Sequence, residues 1–304
     1  LKAWWYSKSP INFQTHYYQP GFLFIPFRIY NKQDVIKPKA DFIPAGVKLI
    51  YKGIDKVDPE NNKVLLDGGQ ILQYDFLIIA TGTRTVPEET PGLKDKLWYK
   101  NIFDFYTVEG AIALREFFRA WEGGDLVMAI AELPFKCPVA PLEFVFLADA
   151  YFTEIGIRDR VNIKFVTPLP GAFTKPRSSK MLGELMVEKN IEVIPEFYIE
   201  SVDNDKQVLK SYDEIEIPFD VLTIVPVNMG SEMVERSGMG DDLGFIPTDK
   251  FTLRSEKHEN IFVLGDAASI PTSKAGSVVH FAADIVFENI LSAMEGRELK
   301  AKFD

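Results

Sequence analysis

The sequence predicts an α/β protein built on parallel sheets. Short, continuously apolar runs such as "DFLIIATG" (75–82), "DLVMAIAEL" (125–133) and "NIFVLGDAA" (260–268) read as strands buried on both faces. Segments with apolar residues at helical spacing lie between them, and strands alternating with helices point to parallel pairing.

Taken in order, "YYQPGFLFIPF" (17–27) is aromatic but broken by Pro20 and Pro26, so it is no regular helix. It reads as a loop packed on the core, or as one wall of a site for a flat ring system. "GVKLIYKGIDKV" opens a run of strands, and "KVLLDGGQIL" turns at Asp67-Gly68-Gly69, a hairpin signal. "DFLIIATG" ends in Ala80, Thr81 and Gly82, small residues that allow close backbone approach.

A helix follows from Thr107 as its cap to Gly123-Gly124 as its stop. The strand at 125–133 leads into "AELPFKCPVAPLEF" (131–144), and a helix then runs to Gly156. "VNIKFVTPLP" is a strand, "SSKMLGELMVEKN" a helix and "IEVIPEFYIESVD" a strand with an extension. "KQVLKSYDEIEIPFDVLTIVPV" gives a hairpin and a buried strand, and a last helix begins near Ala275-Gly276.

Composition narrows the function. A chain of 304 residues has room for about two domains and a full core. The net charge of −10 disfavours nucleic acid, whose phosphates reward Lys and Arg. No apolar run reaches the roughly 18 residues that span a bilayer. Three His and one Cys, far apart, give no zinc spacing, and a single Cys leaves a cytoplasmic setting as the default.

That one cysteine, Cys137, follows Lys136 and is fenced by Pro134, Pro138 and Pro141. Prolines suit a first helical turn, so Cys137 belongs at a helix N-terminus. There, and beside Lys136, the thiol pKa is expected to fall. A small buried hydrophobe is the bland alternative. Glu143, six residues on, is either a proton acceptor near the thiol or a helix-surface carboxylate.

The late string "NIFVLGDAASIPTSKAGSVVHF" puts Gly265 and Asp266 after a strand, then Thr272, Ser273 and Lys274 before a helix. A helix N-terminus offers free N–H groups and partial positive charge for a ring oxygen or nitrogen. Asp266 could accept from sugar or ribityl hydroxyls; as a plain structural feature it is a turn residue. His280 is a proton carrier near a quinone or a satisfied helical histidine, and His16 has weaker grounds.

This order of motifs resembles the two-dinucleotide-domain flavoproteins. Within them, "KCPVAPLE", "LGDAASIPTSKAGSVVHF", "HYYQPGFLFIPF" and "VERSGMGDDLGFIPTD" resemble sulfide:quinone oxidoreductases and flavocytochrome sulfide dehydrogenases, over roughly residues 9 to 296. The resemblance implies two Rossmann-like dinucleotide-binding domains, the second inserted in the first. They would comprise residues 1–104 with 223–304, and 105–222. It implies FAD held by Ala80, Thr81, Gly82, Gly265, Asp266, Thr272, Ser273 and Lys274. It further implies sulfide as donor, a quinone as acceptor, and Cys137 as the sulfur carrier beside the flavin, with Lys274, His280 and Glu143 as its catalytic company. Lys274 would meet the reduced flavin's negative charge or lie near the quinone.

Against that family pattern, "LKAWWYSKSP" reads as a chain that starts partway into the fold. It lacks the Gly-rich turn for the FAD pyrophosphate and, at Tyr6-Ser7-Lys8, the acidic residue for ribose. The family's C-terminal segment, with a second catalytic cysteine and membrane-holding amphipathic helices, is also expected to be absent. Contact with the inner membrane would then need a segment not present here, and a homo-oligomer or partner chain stays open. Two rivals stand beside sulfide oxidation. One is an NADH:quinone oxidoreductase on the same fold, disfavoured because Glu132-Leu133-Pro134 replaces a glycine cradle. The other is a truncated or degenerate chain that binds no FAD.

Overall fold

A computed structural model of the chain describes residues 4–5 and 14–303. Strand β1 (Leu77–Ile79) precedes β2 (Ile102–Phe103), helix α1 (Val108–Ala120), β3 (Gly124–Ile130) and α2 (Ala140–Glu154). Then come β4 (Val161–Val166), α3 (Pro176–Glu188), β5 (Ile191–Ile194), β6 (Val221–Val225), β7 (Ile261–Val263) and α4 (Gly276–Met294).

Five strands form one sheet in the order β2-β6-β3-β4-β5, and every pair in it is parallel. All of β6 and most of β3 are buried, which is why both read as continuous apolar runs. Helices α1 and α2 cover this sheet with Leu114, Phe118, Phe144 and Phe152, which share a core with Leu126 and Met128. Thr107 caps α1 as expected, its Oγ1 accepting from the Gly110 N–H at 3.0 Å.

Strands β1 and β7 form a second parallel pair, Leu77 opposite Ile261 and Ile79 opposite Val263. The chain leaves at β1 and returns at β7, so the five-stranded sheet is inserted between two halves of another α/β unit. The expected hairpin is present, with Val64 opposite Leu72 around Gly68 and Gly69. Segment 17–27 packs on the core as expected, though Gln19–Phe24 winds into a 3-10 helix: Phe22, Leu23, Ile25 and Phe27 are buried against the inserted unit. Phe27 meets Phe144 at 5.2 Å between ring centroids.

Two details differ from expectation. Strand β1 is not buried on both faces, since Ile78 is 49% exposed. "IEVIPEFYIESVD" divides between two sheets, β5 and an antiparallel ladder that pairs Ile199–Asp203 with Val208–Ser211. Helix α4 is long and apolar enough, by length and mean composition, to cross a membrane, although no unbroken apolar run in the sequence reaches 18 residues. Asp284 and Glu288 interrupt its apolar run. One side of α4 packs Ala282, Val286 and Ile290 on Phe262, while Phe281 and Phe287 remain exposed. Trp4–Trp5 pairs in parallel with Lys48–Leu49, whereas Tyr6, Ser7 and Lys8 lie outside the described residues.

Candidate active site

Three strand ends bring the predicted residues onto loops. Ala80-Thr81-Gly82 follows β1, the Cys137 loop follows β3, and Gly265-Asp266 follows β7. Carboxyl ends of parallel strands are where α/β proteins gather ligands, because the loops there are free of sheet pairing.

Cys137 has φ of +55°, the left-handed region that a residue with a Cβ enters only under constraint. The constraints can be named. Its N–H donates to the Lys274 carbonyl at 2.6 Å. The Tyr106 hydroxyl donates to the carbonyls of Lys136, at 2.9 Å, and Cys137, at 3.3 Å. The Lys136 N–H reaches Asn228 Oδ1 at 3.3 Å, and Asn228 is itself buried. Finally, the Ala140 N–H at the start of α2 donates to the Cys137 carbonyl at 3.0 Å.

The thiol's electrostatics reverse an expectation. Burial pushes the Cys137 pKa up, and the Glu143 carboxylate adds to the rise. The Ala140 N–H and the Lys136 ammonium oppose this without overcoming it. Lys136 is itself held below its ordinary value by burial, and its Nζ donates to Gln19 Oε1 at 3.1 Å. Glu143 stands on the exposed surface of α2, where partial desolvation raises its carboxyl, and burial raises Asp266, drawn back by Lys274 and Lys136. Carboxylates raised this way hold protons closer to neutral pH than free ones do.

Lys274 is held by its own loop. Its ammonium donates to the carbonyls of Asp266, at 2.8 Å, and Ala268, at 3.3 Å. It also lies 3.6 Å from the centroid of the Phe245 ring. This buried cation is committed to protein groups, and its main chain is what meets Cys137. Thr272 and Ser273 are exposed, as is His280, whose ring lies against Phe281. His16 lies tilted against Phe42, the ring centroids 4.6 Å apart, its pKa lowered by burial and then by Lys39.

The structure thus gathers Cys137, Glu143, Asp266 and Lys136 into one electrostatic neighbourhood, with Lys274 bonded behind it. Tyr106, Asn228 and Gln19 complete it, and the sequence reading assigned none of them a role there. Tyr106 sits just before the Thr107 cap, a place that signals a helix start and nothing about a cysteine 31 residues on.

Nearby, Thr81 Oγ1 is buried with no hydrogen-bond partner. Gly82 has φ of +67°, and a Cβ there would find no atom within 4 Å. At Gly265, φ is +72° and a Cβ would come within 2.8 Å of Val279 Cγ2, so glycine is required twice over. An orphaned hydroxyl beside open space marks a surface that can receive a polar ligand.

No protein-family model matches the chain. The mitochondrial sulfide:quinone oxidoreductase of Dictyostelium discoideum is 27% identical over 296 residues, 96% of this chain and 66% of that protein. The chain therefore spans slightly under two thirds of that curated relative. Among solved structures, the sulfide:quinone oxidoreductase of Aquifex aeolicus superimposes with a TM-score of 0.82 at 21% identity. That match covers 93% of this chain and 70% of the other. A chain in the mitochondrial ATP synthase of Tetrahymena thermophila matches with a TM-score of 0.78 at 19% identity, over 96% of this chain and 73% of that one. These likenesses establish the α/β fold with two dinucleotide-type units.

Proposed function

The chain belongs to the sulfide:quinone oxidoreductase family, and on that premise we propose that it oxidises sulfide at Cys137, with FAD as cofactor and a quinone as final acceptor. The observation that carries the proposal is the placement of the lone thiol. It sits at the carboxyl end of β3, bonded through its N–H to the loop that holds Asp266.

The residues around it support the reading. Thr81, with its unpartnered hydroxyl, the open backbone at Gly82 and the Asp266 carboxyl fit the ring and ribityl end of a flavin. When bound, FAD would supply a two-electron acceptor for sulfide and pass the pair to a quinone. Cys137 Sγ would hold the sulfur atom as a persulfide. Glu143, its carboxyl raised by partial desolvation, is suited to take the proton released by the thiol or by HS⁻. Lys136, beside Cys137 and Asp266, would favour entry of the HS⁻ anion.

A second reading has one observation behind it, the same fold in a chain of an ATP synthase assembly. In that reading the chain is a scaffold that takes up no flavin. Anaerobic addition of sulfide to the protein incubated with FAD separates the two. Flavin bands that bleach with sulfide, and persist in Cys137→Ser, support oxidation; a protein that retains no flavin supports the scaffold.

A further inference from the structure

We infer that Tyr106 is a positioning residue for the reactive thiol, its hydroxyl fixing the peptide planes on either side of Cys137. The inference rests on the reading of Cys137 as the reactive group. A left-handed cysteine is strained and persists only where its surroundings over-determine it. The N-terminal side of Cys137 is held by the Lys274 carbonyl and, one residue earlier, by Asn228.

On the carbonyl side the Ala140 N–H and the Tyr106 hydroxyl converge. The Ala140 bond is a local turn that any helix start can make. Tyr106 is the long-range constraint, reaching from the segment before α1 to two successive carbonyls. Its ring is buried against Phe105, with centroids 5.1 Å apart, so the hydroxyl has little freedom to aim elsewhere. Burial keeps the phenol protonated, its pKa raised well above the ordinary value, so it remains a donor across the working pH range. The bonded carbonyls fix where Cys137 Sγ points relative to Glu143 and Asp266.

Cys137 is the chain's one thiol, so alkylation reads it alone, without flavin or sulfide. The test is the iodoacetamide rate against pH for the wild type and Tyr106→Phe. Released from the left-handed conformation and its carboxylate neighbours, the thiol of Tyr106→Phe should titrate lower, nearer the ordinary value of about 8.5, and react about threefold faster at pH 7. A superimposable pH profile in a folded variant overturns the inference. A second measurement reads the backbone directly: the Cys137 amide, bonded to the Lys274 carbonyl, should exchange its hydrogen faster in Tyr106→Phe than in the wild type, and equal exchange in the folded variant would equally overturn the inference. Loss of sulfide oxidation alone bears on the proposed activity and leaves both readouts intact.

Discussion

The backbone N–H of Cys137 donates to the carbonyl of Lys274 across 2.6 Å, joining a loop of the inserted unit to one of the outer unit. Lys136 and Lys274 form an isolated parallel bridge at the same place. The thiol and Asp266 therefore sit on loops tied to each other through main-chain pairing. The Lys274 ammonium secures the second loop by capping two carbonyls. Lys274→Met should leave both without that donor and cost about 1–3 kcal/mol of stability, read by urea unfolding. An unchanged midpoint would show that the ammonium contributes nothing there.

Glu143 raises the Cys137 pKa and is the proposed proton acceptor, two roles with opposite signatures. Glu143→Gln removes a negative charge near the sulfur, so the thiol's midpoint should fall. Half a pKa unit gives about a threefold gain in alkylation at neutral pH. Sulfide turnover should drop by about 100-fold, because the proton acceptor is gone. Faster alkylation with undiminished turnover would remove Glu143 from the chemistry.

Thr81 holds a buried hydroxyl without a partner. Thr81→Val should stabilise the flavin-free protein by about 1 kcal/mol, since an unsatisfied buried polar group is replaced by an apolar one. If the hydroxyl serves the cofactor, FAD binding should weaken about fivefold in the same variant. Fluorescence titration with FAD and thermal melts check the two effects on one sample.

Asp104 is buried and accepts from the Thr107 N–H at 2.6 Å and the Tyr99 hydroxyl at 3.0 Å. Asp104→Ala should destabilise the start of α1 and cost about 2 kcal/mol. Burial raises the Asp104 pKa despite these bonds. The folded state then binds this proton more readily than the unfolded state. Its contribution is fully present below the ordinary carboxylate pKa and is lost as pH rises through the raised value. Asp104→Asn should remove that slope, seen as a wild-type-minus-variant difference that shrinks with rising pH.

The elements were legible because their signals are local. The apolar runs of β3 and β6, the Thr107 cap, the Gly68-Gly69 turn and the prolines before α2 act within a few residues. The loops that could form the site were legible for the same reason. What holds Cys137 was not. Tyr106, Asn228 and Gln19 reach its loop from 30, 92 and 117 residues away, and no periodicity encodes such contacts. The rise in the thiol's pKa was hidden too, because Lys136 is adjacent in sequence while burial and Glu143 act in space. Lys274 reads in the sequence as a cation for the flavin or the quinone, and nothing local encodes its bonds to the Asp266 and Ala268 carbonyls.

The central claim is that Cys137 carries sulfur during flavin-linked oxidation of sulfide. Its most direct test is the visible spectrum of the FAD-incubated protein, recorded anaerobically before and after sulfide, for wild type and Cys137→Ser. The account predicts flavin bands that bleach in the wild type and stay in the variant. Bands that bleach equally in both would contradict it.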